Sequence, residues 1–122
     1  MNEAELKKLY EKKDKFILDE DKNIIPANLL EWGEFFENHD KKRIVKQEIV
    51  EDKFVSTVFL GLDQSWYIDK DHKPLIFETM IFHGKGEGRS DIYCDRYATW
   101  KEAEEGHEKA VQWVKDGCKD DE

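Results

Sequence analysis

The chain has 122 residues with 20 basic and 29 acidic side chains, a formal net charge of −9. That length sets one domain with a self-sufficient core. The negative field repels a phosphate backbone, which disfavours ordinary DNA or RNA binding. Charged residues reach 40%, yet seven Phe, four Trp and four Tyr supply bulky core material, so the composition is that of a globular chain. No window approaches the roughly 18 apolar residues of a membrane span. The opening MNEAELKK has no apolar signal core, and Cys94 and Cys118 form no Cys-x-x-Cys pair, so the expectation is a cytoplasmic protein with reduced thiols.

Taken in chain order, residues 1–15 read as a charged N-terminal helix or tail, with Leu6, Leu9, Tyr10 and Lys13 on one thin stripe. Residues 16–116 form a single domain. Phe16-Ile17-Leu18, the polar turn Asp19 to Asn23 and Ile24-Ile25-Pro26 make a small hairpin. Leu29, Trp32, Gly33 and Phe36 recur at helical spacing, which predicts a helix at about 28–37. Ile44 to Val50 and Phe54 to Leu60 pair around Glu51-Asp52 as one hairpin. LIFETMIF and DIYCDRY pair across GKGEGRS as another. That glycine-rich loop lacks the strand-to-helix context and spacing of a phosphate cradle. Thr99-Trp100-Lys101-Glu102 reads as a capping box for a helix at about 100–115, after which 117–122 is an acidic tail. The expected fold is α+β: a four-stranded antiparallel sheet of two hairpins with two helices and an N-terminal helical extension.

The run FVSTVFLGLDQSW and its neighbour LIFETMIF are apolar on both faces, so something must cover each side of the sheet. Two helices are expected on one face. The other is left to the N-terminal helix, a ligand or a second copy of the chain, and a homo-oligomer is the expectation, with Met80→Asp or Phe82→Asp breaking it.

Candidate site residues cluster near that strand and the segment after it. Asp63, Gln64, Trp66 and Tyr67 sit on a loop whose aromatic and polar mixture suits a flat ligand or a protein hot spot, or caps the sheet edge. Glu78 is mid-strand, where an unpaired carboxylate costs several kcal/mol, so Arg96, Arg43 or Ser56 must answer it. Arg96 and Trp100 add a cation and a ring. His107 falls on the apolar helix face, ordinarily the place of a satisfied core histidine. The four histidines share no close ligand spacing and no serine sits in a nucleophile elbow. The reading is a non-enzyme with no cofactor and no metal.

The segments LLEWGEFFENHDKKRI, VSTVFLGLD, PLIFETMIF and RYATWKEAEEGHEKAV resemble a family of small phage and prophage proteins of unassigned function. Gln64 stands where that family has His, and the lysine-glutamate start is an addition. The resemblance implies an accessory protein in the host cytoplasm that counteracts antiviral defence. Two modes are expected: sequestering a nucleotide-derived immune signal, or blocking a host defence or nucleic-acid-processing effector with an acidic surface.

Overall fold

The computed structural model describes residues 2–3, 15–63, 73–84 and 91–119. Most of the expected N-terminal helix, the loop with Gln64, Trp66 and Tyr67, and most of the glycine-rich connection lie outside them. The elements are β1 (Phe16–Leu18), β2 (Ile24–Pro26), α1 (Leu29–Asn38), a 3-10 turn (Asp40–Arg43), β3 (Ile44–Val50), β4 (Lys53–Phe59), β5 (Phe77–His83), β6 (Asp91–Tyr97) and α2 (Trp100–Lys115). Strands β3 to β6 form an antiparallel meander in that order, and β1 pairs with β2 separately. The fold is α+β, as the hydrophobic pattern indicates.

Local chemistry sets the boundaries. Asn28 accepts from the Glu31 backbone N–H at 2.9 Å, and the Glu31 carboxylate accepts from the Asn28 N–H at 3.1 Å. This reciprocal cap starts α1. At α2 the expected box forms differently: Thr99 accepts from the Glu102 N–H at 3.1 Å but donates its own hydroxyl proton to the Glu102 carboxylate at 2.9 Å. In the β1–β2 turn the Asp19 carboxylate accepts from the backbone N–H groups of Asp21 and Asn23 and from the Asn23 amide. These bonds favour the ionised carboxylate and hold Asp19 below its ordinary pKa.

The core lies between α2 and one face of the meander. Ala103, Gly106, His107, Ala110, Val111 and Val114 are the buried side of the helix. Val55, Thr57, Phe59, Phe77, Thr79 and Ile81 face it with no exposure. Gly106 permits the close approach: a Cβ there would run into the Tyr97 ring.

Both helices were expected on this face; α2 covers most of it, and α1 meets it at one end through Phe59. The apolar stripe of α1, centred on Phe35 and Phe36, is too short to span a sheet. With β1–β2 it closes one end, where those rings lie 6.0 and 6.2 Å from Phe59. Gly61 marks the junction at φ +72, with the Phe16 carbonyl and the Trp32 indole 2.7 Å from where a Cβ would stand. On the second face, among the described residues, no helix or strand is laid across the sheet. Phe54, Ser56, Val58, Met80 and Phe82 are half-buried there.

Candidate functional site

The candidate residues are divided by the pleat. β-register places Val58 opposite Glu78 and Glu78 opposite Arg96, so both charged residues share the second face. Arg96 Nε lies 3.0 Å from Glu78 Oε2, and the two side chains are 38% and 13% exposed. The Cys94 thiol donates a longer contact to the same carboxylate at 3.6 Å. Of the three partners the sequence left open for Glu78, the arginine across the strand pair is the one that answers it.

His107 lies on the opposite side, fully buried under α2. Its Nδ1 is 2.7 Å from the Thr57 hydroxyl, which is 2.5 Å from the Thr79 hydroxyl. Its Nε2 is 2.9 Å from Glu48 Oε2. Carboxylate, imidazole and hydroxyl are the parts of a nucleophilic relay. Here Thr57 and His107 have no exposure, so no substrate atom reaches them, and the relay is a structural clasp between α2, β3, β4 and β5. The donor order follows if the imidazole is neutral. Nε2–H donates to the carboxylate, Thr57 donates to Nδ1, and Thr79 donates to Thr57, so every proton on that path has an acceptor.

Glu48, His107 and Glu108 place one ligand atom each within 4.8 Å of one another, an arrangement with metal-ligand chemistry. Lys46 already answers it, with Nζ 3.2 Å from Glu48 and 3.1 Å from Glu108. The ammonium acts as an internal cation, and the two carboxylates raise its pKa in return.

The remaining candidates are dispersed. Asp63 caps the backbone N–H of Leu75 at 3.0 Å, a structural bond that positions the chain entering β5. Trp100 packs edge-on to Phe77 at 6.0 Å, and Lys22 lies 4.5 Å above its ring. Gln64, Trp66 and Tyr67 lie outside the described residues. Among the described candidates, only Glu78 and Arg96 are brought together in a direct pair.

Sequence reasoning missed a cleft between β1 and α1. It has a volume of about 380 Å³, a floor of Ile17, Leu18 and Phe35, and a rim of Asp19, Glu20, Glu31 and Glu34, with His39 and Lys42 also lining it. Four acidic residues and one lysine thus line the same cleft. Asp19 and Glu31 are held in place by the turn and the helix cap described above, so part of the rim is preorganised. The signal was present in sequence as acids flanking two apolar segments, but only the packing of the hairpin against the helix reveals that they converge. Beside the cleft, α1 presents Leu30 at 82% exposure and Leu29 at 57%.

No family model, curated protein or solved structure matches this chain. Among the described residues, no helix is long and apolar enough to cross a membrane.

Proposed function

We propose that this chain is a non-enzymatic binding protein that uses the acidic cleft to engage a basic protein, the blocking mode of an accessory protein directed at a host defence or nucleic-acid-processing effector. The cleft is the observation that carries this reading: four acidic residues line it together with Ile17, Leu18 and Phe35, a composition that suits the ammonium or guanidinium of a lysine or arginine and its methylene stem. Leu30 and Glu34, four residues apart on α1, extend the same apolar-and-acidic pattern onto the surface. The whole-chain charge of −9 would steer a basic partner toward it. The anti-defence context rests on the family resemblance alone.

Fluorescence anisotropy with arginine- and lysine-rich peptides carrying interspersed leucines tests the cleft directly. Saturable binding is expected, weakening several-fold as salt rises from about 50 to 500 mM because the Debye length shrinks. Glu20→Lys with Glu34→Lys should abolish it. Calorimetry against cyclic and ADP-ribose-type nucleotides runs in parallel. No peptide binding together with saturable nucleotide binding would replace this reading with the signal-sequestering one, while unchanged peptide binding in the doubly reversed variant would remove the cleft from it.

A further inference from the structure

We infer that the second face of the meander is a two-fold interface with another copy of this chain, giving a sandwich in the order α2, sheet, sheet, α2. This is independent of the acidic cleft, which lies at the β1 and α1 end of the molecule. The first support is apolar character without a described cover: Phe54 and Phe82 pair across β4 and β5 with ring centroids 6.3 Å apart, Met80 lies beside them, and Ile49 on the edge strand is 52% exposed. A sheet with one face on its helix and the other this apolar is completed most simply by a second sheet packed about 10 Å away, with side chains of both inner faces interdigitated.

The second support is charge, and it selects the occupant. The chain carries −9, yet the middle of this face holds one acid and one base, Glu78 and Arg96, already joined at 3.0 Å. The face is therefore close to neutral on a strongly acidic molecule. Two copies repel through most of their surfaces and meet without that penalty here. A basic partner gains nothing from a neutral face and is drawn to the acidic cleft instead. Two-fold symmetry also lets Glu78 and Arg96 of one copy approach those of the other as a neutral set, a self-complementary arrangement.

Four strands of about seven residues project roughly 450 Å² per copy, less than the ~800 Å² per partner of a standard interface. The dimer is accordingly expected to dissociate in the micromolar range. Sedimentation velocity of the full chain from about 1 to 500 µM should show a monomer–dimer equilibrium. Ile49→Asp introduces a charge at an already half-exposed edge position, so it preserves folding, and it should weaken association at least tenfold. A second readout uses Cys94, which is exposed on the same face. Its rate of maleimide modification relative to Cys118 should fall several-fold with rising protein concentration in the parent chain and stay constant in Ile49→Asp. A monomer at every concentration overturns the inference, as does a dimer that Ile49→Asp leaves intact with a Cys94 rate independent of concentration.

Discussion

The two faces of the meander solve the same problem in opposite ways. Each places polar groups among apolar strand residues. On the α2 side Thr57, Thr79 and His107 are fully buried, and a chain of bonds ending at Glu48 and Lys46 satisfies them. On the other side Glu78 meets Arg96, the pair stays partly wet, and its neighbours are half-buried. The first arrangement costs a great deal when one of its buried members is lost, because Thr57, Thr79 and His107 cannot reach water. The second is buffered by solvent. The α2 face is therefore built for stability, while the second face, which no described helix or strand crosses, leaves its ion pair in contact with solvent.

His107→Ala should break this contrast most severely. It removes a fully buried ring and leaves the buried Thr57 hydroxyl without its imidazole acceptor, a loss of about 3–5 kcal/mol. Thermal unfolding followed by circular dichroism should show a midpoint lower by more than about 10 °C. Gly106→Ala comes next, at about 1–3 kcal/mol, because the added methyl displaces the Tyr97 ring and cannot be accommodated by a flexible side-chain tip. Thr57→Val keeps the volume but leaves Thr79 and His107 without their shared partner, and about 1–3 kcal/mol should be lost in urea titrations.

A pH series sharpens the same comparison. The His107 bond holds the Glu48 carboxyl below its ordinary value near 4.5, Lys46 acts in the same direction, and partial burial opposes them. A carboxyl depressed in the folded state contributes stability that is fully present above its unfolded pKa. That contribution is lost as pH falls below about 4.5 toward the folded value. Midpoints of the parent chain and Glu48→Gln should therefore differ at pH 7 and converge in the acid range. A gap that stays constant down to pH 3 would show that the carboxylate charge is not what the clasp uses.

Sheet, helices and hairpin were legible because each depends on local signals: β-branched and aromatic residues in FVSTVF and FETMIF, a cap at Thr99, a turn at Asp19. The partner of Glu78 was legible only as a choice of three, since register across β5 and β6 decides which cation is opposite. The clasp was half-visible. His107 reads as a core histidine, but Glu48 lies 59 residues away and Thr57 50 residues away, separations that no periodicity connects. That α1 meets the sheet only at its Phe59 end was not legible, because helical spacing reports an apolar stripe and not what it packs on. The acidic cleft could not be assembled from sequence for the same reason: Asp19 and Glu34 converge only after the hairpin folds back on the helix.

The smallest expected effect concerns Glu78 and Arg96. A double-mutant cycle of Glu78→Gln and Arg96→Gln, measured at concentrations where the chain is monomeric, should return a coupling below about 1 kcal/mol, since an arginine that is 38% exposed competes with water for its partner. Glu78→Gln keeps a hydrogen-bonding group of the same length and Arg96→Gln a shorter one, and the cycle subtracts the packing that each loses alone. Repeated at high concentration, the coupling should rise, because a second sheet would exclude the solvent that screens the pair. A coupling above about 2 kcal/mol in the dilute monomer would mean that this face is already dry within one chain, and the distinction between the two faces would then disappear.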